Sequence, residues 1–294
     1  MPLFSRRGPL SPGEMFPAGE ADYRVSRIRL RSGITVRVVE TGDPAGDPVL
    51  LLPGWGSSVF LWRRNMPALA AAGFRAVAVD LKGSGLSDKP VGESEYTTAA
   101  LVAHLGEILA AVALERPVIV GHSLGASIAF RFVRRHPGQV RALVLVSPVG
   151  HAGVRMLWLY KLLTPRFVRR FLPALDARRI TILALRRAYG KPRALTDAEV
   201  DEYYAPSQFP EFAIAQRDLL HGFEWNERVE GAIGLPVLLI HGSRDHLVRN
   251  AAIAAYRRAI PDIDVREIPK AGHVVPEEAS DDFNAALIGF LRRV

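Results

Sequence analysis

The 294-residue chain contains no cysteine. This absence excludes a disulfide framework, a zinc or iron-sulfur site built on cysteine, and a thiol nucleophile. The chain also lacks an H-x-x-x-H or H-E-x-x-H pair, the usual spacing of histidine ligands on a helix. We therefore expect no bound metal.

Long apolar runs are missing as well. No uninterrupted run reaches the roughly 18 to 20 residues of a membrane-spanning helix, and Lys161 already interrupts the stretch Leu157–Leu163. The first 22 residues contain an arginine pair, but proline and glycine repeatedly interrupt the residues after that pair, and no apolar segment develops. We expect a loose N-terminal arm over 1–22, no signal peptide, and a cytoplasmic protein.

Acidic residues are scarce in one segment only. Between Arg155 and Arg193 the sequence has eleven lysines and arginines and a single acid, Asp176, a local net charge of +10. The rest of the chain has 27 basic and 29 acidic residues, so the overall charge of +8 is a property of that segment. A net charge of +8 would normally suggest binding to nucleic acid or to an anionic membrane, but here the basicity is a property of one segment and not of the whole fold.

The composition is otherwise that of a globular protein, with 49% hydrophobic and 23% charged residues. Short apolar segments without polar alternation predict parallel strands buried on both faces: Pro48–Leu52, Ala76–Val79, Val118–Val120, Ala142–Val146 and Pro236–Ile240. Helical patterns separate them, at Val59–Ala72, Thr98–Leu114, Leu124–Arg135, Ala251–Ala259 and Ser280–Leu291. The alternation predicts an α/β fold with a doubly wound, mostly parallel sheet, preceded by a β-hairpin over Tyr23–Leu30 and Ile34–Glu40.

The alternation stops between Val149 and Gly234, where the sequence has helical character and no convincing strand. Within this region Thr196 and Glu199 form a T-x-x-E capping box that predicts a helix running toward Tyr204. We predict that 23–148 and 235–294 form the α/β core and that 149–234 form a helical lid, because access elements are commonly inserted into a rigid α/β scaffold.

A G-x-S-x-G pentapeptide lies between the predicted strand ending at Val120 and the predicted helix beginning at Leu124. In this strand-turn-helix setting the motif predicts a nucleophile elbow, a tight turn that exposes the hydroxyl of Ser123 above the sheet. The alternative is an ordinary βα turn with a capping serine.

With this motif the chain resembles the α/β-hydrolase superfamily from Tyr23 to the C-terminus. Asp80-Leu-Lys-Gly-Ser-Gly-Leu-Ser87 is similar to the family's D-x-x-G-x-G-x-S loop, and Leu50-Leu-Leu-Pro-Gly-Trp-Gly56 lies where the family has His-Gly. Pro53 departs from that pattern. It leaves the backbone donor after Gly54 intact but removes any hydrogen bonds that the family histidine makes.

The resemblance implies a catalytic triad in the order serine, acid, histidine. Asp245 follows the strand ending at Ile240 and matches the family's G-x-x-D acid, and His273 lies between a short strand near Asp264–Ile268 and the final helix. A serine hydroxyl needs such a base, and the base needs an acid that fixes its tautomer. By family position the backbone N–H groups of Trp55 and Leu124 form the oxyanion hole, so no cofactor is expected.

Serine at position 123 argues against the dehalogenase and epoxide-hydrolase branches, which the resemblance associates with an aspartate nucleophile. Serine implies an acyl-enzyme formed by attack on a carbonyl. We expect an apolar small-molecule carboxylic ester as the first choice of substrate, followed by a thioester, an amide or a lactone. Two alternatives stay open: hydrolysis of a carbon-carbon bond in ring-cleavage products by the same triad, and a non-catalytic ligand-binding protein of the same fold. The sequence leaves the physiological substrate and the oligomeric state open.

The basic segment alternates apolar residues with arginine pairs, and around Phe167–Leu172 this pattern predicts an amphipathic helix. One interpretation is that its apolar side packs over the pocket while the arginines face water. The other is that the predicted lid contacts an anionic membrane surface or attracts lipid-like substrates. Nucleic acid is an unlikely partner, because the segment has no groove-binding motif.

Overall fold

The computed structural model describes residues 9–150, 154–175, 177–190, 195–226, 228–229, 233–248 and 250–294. In this part of the chain eight strands form one sheet: β1 Arg24–Arg29, β2 Thr35–Thr41, β3 Asp47–Leu52, β4 Phe74–Val79, β5 Val118–His122, β6 Ala142–Val146, β7 Val237–Gly242 and β8 Asp264–Ile268. Their spatial order is β1-β2-β4-β3-β5-β6-β7-β8. Strands β3 to β8 run parallel to one another, β1 and β2 form an antiparallel hairpin, and β2 pairs antiparallel with β4. The predicted fold class is confirmed.

The helices of the described residues are α1 Met66–Ala71, α2 Thr98–Ala111, α3 Leu124–Arg135, α4 Leu157–Leu163, α5 Ala177–Ala188, α6 Asp197–Tyr204, α7 Pro210–Gly222, α8 Asn250–Ala259, α9 Val275–Glu278 and α10 Ser280–Leu291. Short 3-10 helices occur at Val59–Trp62, Glu93–Tyr96, Pro137–Gln139, Arg166–Ala174 and Ala205–Gln208. No helix in the described ranges is both long and apolar enough to cross a bilayer.

The sheet has a hydrophobic core on each face. Leu50 and Leu52 of β3 point into one core, and Val49 and Leu51 of the same strand point into the other. Helices α2, α3 and α8 cover the first face, and α1 and α10 cover the second. Because both faces are covered, the loops at the carboxyl ends of the parallel strands form the exposed edge at which a site can develop.

The prediction of one continuous helix over Val59–Ala72 is wrong. The structure has a 3-10 helix at Val59–Trp62 and then α1, which begins at Met66. Pro67 has no backbone N–H and its ring excludes a preceding helical turn, so it lies in the first turn of α1 and separates the two elements.

Residues 149–234, here called the helical insertion, connect β6 to β7 and contain α4 to α7. The predicted capping box is present: the Thr196 hydroxyl accepts from the Glu199 N–H, and the Glu199 carboxylate accepts from the Thr196 N–H. Its function as a lid stays a prediction.

The predicted N-terminal arm is partly packed against the rest of the protein. Residues 1–8 lie outside the described part of the chain, but Met15 and Phe16 are buried. The Phe16 N–H donates to Glu202 of α6, and the Phe16 carbonyl accepts from Arg37. The arm therefore joins the core to the helical insertion.

Candidate active site

Ser123 occupies the tight turn between β5 and α3, with backbone angles φ 53° and ψ −111°. A side chain on Gly121 would place Cβ 2.5 Å from the Ala126 nitrogen, and one on Gly125 would place it 2.6 Å from the Pro53 carbonyl oxygen. Only glycine permits this close packing, and the strained serine conformation costs about 1 to 3 kcal/mol. The turn has the geometry expected of a nucleophile elbow.

The structure brings the three predicted triad residues together. His273 Nε2 lies 2.9 Å from Ser123 Oγ, and His273 Nδ1 lies 2.8 Å from Asp245 Oδ2. An ionised Asp245 can only accept at that position, so Nδ1 carries the proton and Nε2 is free to accept from the serine hydroxyl. His246, next to Asp245 in sequence, is exposed.

Asp245 is held as a carboxylate. Burial acts to raise its pKa, but the neighbouring His273 and the backbone N–H groups of Leu247 and Val248 outweigh burial, so the pKa lies below its usual value. The two N–H groups donate to Oδ1 at 2.8 and 2.9 Å, which leaves Oδ2 for the histidine. The carboxylate is therefore both charged and fixed in orientation.

His122, inside the pentapeptide, is a packing residue rather than a titrating one. Burial, reinforced by His273, lowers its pKa to about 3, so the ring is neutral at ordinary pH. Its Nε2 lies 2.9 Å from the His273 carbonyl oxygen and donates to it. The elbow thereby supports the loop that carries the histidine of the triad.

Two backbone N–H groups lie in the loops that the resemblance associates with an oxyanion hole. Leu124 is the first residue of α3, so its N–H has no acceptor within the helix. The Trp55 N–H makes no backbone hydrogen bond within the described ranges. The Trp55 ring packs edge-on against the ring of Trp225 in the insertion, with the ring centroids 5.4 Å apart. This contact fixes the Trp55 loop against the helical insertion.

Two glutamates that sequence analysis did not single out hold the loop of His273. Glu278 accepts from the backbone N–H groups of Gly190 and Gly272, at 2.8 and 3.0 Å. The fully buried Glu277 accepts from the hydroxyls of Tyr189 and Tyr203 and pairs with Arg63. Such acids at the start of a helix usually face solvent, so nothing in the sequence separates these two from ordinary surface residues.

The insertion also contacts the histidine directly. The His273 N–H donates to the carbonyl of Ala188, the last residue of α5, at 2.8 Å. Gly190 and Gly272 approach so closely that a Cβ on Gly272 would lie 2.1 Å from the Gly190 nitrogen. The position of the histidine therefore depends on the insertion as well as on the core.

A cavity of about 550 Å³ opens above Ser123. The helical insertion supplies more than half of the residues that line it, and most of these side chains are apolar, among them Val149, Val154, Ile180, Leu183, Phe212 and Trp225. Ser123 and His273 lie in its wall. The cavity can hold an apolar group with a carbonyl next to the serine hydroxyl.

The D-x-x-G-x-G-x-S loop has a structural part in this arrangement. Asp80 is fully buried and accepts from the N–H groups of Val59 and Leu86, at 2.7 and 2.8 Å, while Ser87 donates to the Asp80 carbonyl. Within the described residues no group of three or more His, Asp or Glu side chains is arranged to hold a metal ion. The expectations of no metal and no cofactor stay predictions.

Comparison with protein families gives a match to the model described as "alpha/beta hydrolase fold" over residues 47–280. The chain is 30% identical to a 2-hydroxy-6-oxo-2,4-heptadienoate hydrolase of Pseudomonas putida, across 91% of this chain and 96% of that protein. It is 26% identical to epoxide hydrolase 3 of Xenopus tropicalis, across 97% of this chain and 85% of that protein.

Among solved structures, an alpha/beta hydrolase fold protein from Burkholderia ambifaria superimposes with a TM-score of 0.78 and 23% identity. The match covers 90% of this chain and 97% of that chain. At this identity the likeness concerns the fold, including the order of the strands that carry the candidate site.

Proposed function

Since the chain belongs to the alpha/beta hydrolase fold family, we propose that it is a serine hydrolase that cleaves carboxylic esters with an apolar acyl or alcohol part. The observation that carries this proposal is His273 between Ser123 and Asp245, at 2.9 and 2.8 Å, in the wall of an apolar cavity. A positioned base of this kind activates a serine hydroxyl for attack on a carbonyl carbon.

In the proposed acylation step, Ser123 Oγ forms a bond to the carbonyl carbon as His273 Nε2 takes the hydroxyl proton. The carbonyl electron pair moves onto oxygen, where the N–H groups of Leu124 and Trp55 stabilise the negative charge. Asp245 stabilises the imidazolium. When the carbonyl re-forms, the carbon-oxygen bond to the alcohol breaks, and His273 delivers its proton to the leaving oxygen.

Water completes the cycle. It attacks the acyl carbon as His273 takes one of its protons, and collapse of the second tetrahedral intermediate returns that proton to Ser123 Oγ while the carboxylic acid leaves. The helical insertion acts as the lid, because it lines most of the cavity and excludes bulk water from the acyl group.

A second candidate is hydrolysis of a carbon-carbon bond in a ring-cleavage product. The relative that is 30% identical across 91% of this chain carries the name of such an enzyme, and a serine triad is compatible with both reactions. A series of p-nitrophenyl esters of increasing acyl length, run beside 2-hydroxy-6-oxo-dienoates, separates the two. We expect higher kcat/KM on the esters, and turnover confined to the dienoates would assign the second reaction.

Labelling with a fluorophosphonate tests whether the serine reacts at all. We expect the probe to modify Ser123 and no other residue, with labelling abolished in Ser123→Ala and strongly slowed in His273→Ala. A protein that folds normally and is not labelled would instead be a non-catalytic ligand-binding member of the family.

A further inference from the structure

Large apolar side chains that face solvent concentrate on the helical insertion. Of the eleven found among the described residues, nine lie between Met156 and Leu183: Met156, Trp158, Leu162, Leu163, Phe167, Phe171, Leu175, Ile180 and Leu183. Phe167 is 74% exposed and Trp158 is 68% exposed. The interpretation in which this apolar stripe packs over the pocket is therefore wrong for the members that are exposed and lie outside the cavity lining: Trp158, Leu162, Leu163, Phe167 and Phe171. A concentration of exposed apolar groups marks a surface that another apolar phase covers.

Part of this surface surrounds the entrance to the cavity above Ser123. Ile180 and Leu183 line the cavity and are nevertheless 51% and 65% exposed, so they lie at its opening. A second cavity of about 680 Å³, lined by Trp158 and Lys161 among others, shares Val154 and Arg187 with the first. We call Arg155, Met156, Trp158, Lys161, Ile180, Leu183 and Arg187 the entrance surface.

The charged side chains of the entrance surface are positive, and none of them pairs with an acid of the part of the chain that the structure describes. Elsewhere on the insertion several arginines are paired: Arg166 with Glu93, Arg169 with Asp218, and Arg178 with Asp201. Arg155, Lys161 and Arg187, which line the second cavity, form no ion pair within the described ranges. Unpaired cations beside exposed apolar groups are complementary to an anionic, apolar phase, and they would repel the same surface of a second copy.

We propose that the entrance surface docks on an anionic phospholipid bilayer. Trp158 and the exposed aliphatic side chains enter the headgroup boundary, while the long side chains of Lys161 and Arg187 reach lipid phosphates. The cavity then opens toward the lipid phase, so an apolar ester can pass into it without crossing water. The second half of this inference rests on the proposed hydrolase function, whereas docking itself does not.

The protein carries its own reporter for docking. Trp158 is exposed, Trp62 and Trp225 are buried, and Trp55 is half-buried against the insertion. With phosphatidylcholine vesicles containing phosphatidylglycerol we expect a blue shift of the tryptophan emission and cosedimentation, both reversed by high salt. The emission shift should disappear in Trp158→Phe, while cosedimentation persists. Equal binding to pure phosphatidylcholine vesicles, or no binding to either, would overturn the proposal.

Charge reversal tests the role of the unpaired cations. Each near-surface cation contributes about fivefold in binding, so Arg155→Glu with Lys161→Glu should weaken anionic vesicle binding by more than about tenfold. The matched control is Arg31→Glu with Arg135→Glu, because these arginines are exposed, lie outside the insertion and form no ion pair within the described ranges. Equal loss in both pairs would contradict a specific docking surface.

Removal of apolar groups gives the second matched pair. Trp158→Ser should weaken vesicle binding, whereas Val25→Ser, at a valine that is 52% exposed outside the insertion, should leave it unchanged. Light scattering in the absence of lipid tests the alternative occupant. A concentration-dependent dimer that Trp158→Ser dissociates, without vesicle binding, would assign the surface to a second copy of the chain and overturn docking on lipid.

The Ser123→Ala protein separates this proposal from the proposed function. It should bind anionic vesicles as tightly as the wild type, because the serine lies inside the cavity and not on the entrance surface. Vesicle binding by a wild-type protein that no fluorophosphonate labels would leave docking intact and reject the hydrolase function. Normal labelling without vesicle binding would leave the hydrolase function intact and reject docking.

Discussion

The α/β core and the helical insertion differ in how far their apolar side chains are buried. Strands β5 and β6 are buried along their whole length, whereas α4 and α5 leave Trp158, Leu162 and Leu183 more than 60% exposed. Their charges differ as well, because the segment from Arg155 to Arg193 has a net charge of +10 and the remainder is close to neutral. Under the proposed function, the core carries the three candidate catalytic residues, and the insertion lines most of the cavity through which a substrate would reach them.

The two regions meet at His273. Its side chain contacts two core residues of the triad, but its backbone N–H donates to Ala188 of the insertion. Glu277 and Glu278 hydrogen-bond to residues of both regions. Variants in the core, in the insertion and at their contact therefore test whether the two regions differ as described.

The largest effect is expected on the core side, at the nucleophile. Ser123→Ala should lower kcat on a p-nitrophenyl ester by about 10⁴-fold or more, since the triad acts as a unit. Ser123→Gly should be equally inactive yet more stable in urea unfolding by about 1 to 2 kcal/mol, because glycine relieves the strained backbone at this turn. Residual activity within tenfold of the wild type would reject Ser123 as the nucleophile.

The next effect concerns the junction itself. Glu277→Gln removes one of the two negative charges that pair with the largely buried guanidinium of Arg63. It should lower the free energy of unfolding by about 3 kcal/mol. The control is Arg293→Gln, which breaks the pair with Asp264 at a side chain that is 56% exposed and should change stability by less than about 1 kcal/mol. Comparable losses in the two variants would contradict a larger contribution from the buried Glu277 than from an exposed ion pair.

Close packing at the elbow is the third test. Gly125→Ala would place Cβ 2.6 Å from the Pro53 carbonyl oxygen, so β3 and the Trp55 loop must shift. We expect a loss of about 1 to 3 kcal/mol in unfolding free energy, together with lower kcat. Gly289→Ala in α10 has no atom within 4 Å of the added methyl and should stabilise the protein by up to about 1 kcal/mol. Equal destabilisation by both substitutions would contradict close packing as the cause at Gly125, because alanine favours the helix at both positions and only Gly125 has a close neighbour.

On the insertion side, Glu202 predicts a pH dependence of stability. Burial raises its pKa from 4.5 to about 7, so the folded protein keeps this proton up to a higher pH than the unfolded chain does. Its contribution to the free energy of unfolding therefore falls as pH rises from about 4.5 to 7, by roughly 3 kcal/mol in all. Urea unfolding at pH 5 and pH 8 should show a smaller change in Glu202→Gln. The exposed Glu115→Gln should follow the wild type.

The smallest expected effect is that of a chelator. Dialysis against EDTA should leave kcat and KM unchanged, because Ser123, His273, Asp245 and two backbone donors supply each role that acyl transfer requires. Loss of activity that a divalent ion restores would contradict the proposed mechanism.

Much of the core is encoded in local sequence signals. The strand at Ala142–Val146 and the helices at Leu124–Arg135 and Ser280–Leu291 have the predicted bounds, since apolar runs and helical periodicity are strong over such lengths. The continuous helix predicted over Val59–Ala72 was an error within the core, because Pro67 interrupts the helical pattern there. The three candidate triad residues were predicted because each follows a strand and matches a motif of the family that the chain resembles.

The insertion shows the limit of such signals. An amphipathic pattern around Phe167–Leu172 is compatible with packing or with exposure, and the structure leaves Phe167 and Phe171 facing solvent. The burial of Glu277 and Glu202 could not be predicted from the sequence either, because their hydrogen-bond partners lie more than 70 residues away along the chain. A hydrophobic pattern specifies that a side chain prefers an apolar environment, and distant segments decide whether one is present.

The sequence by itself determined the α/β alternation and the turn at Ser123, because both depend on contacts between residues that are near neighbours along the chain. The order of serine, acid and histidine was what the resemblance to the α/β-hydrolase superfamily implied. Only the tertiary structure decided that His273 Nε2 lies 2.9 Å from Ser123 Oγ and that Glu277 is buried. It also decided that some exposed apolar side chains of the insertion lie at the entrance to the cavity. These features depend on contacts between residues far apart in sequence, and such contacts stabilise the protein only when the whole chain has folded.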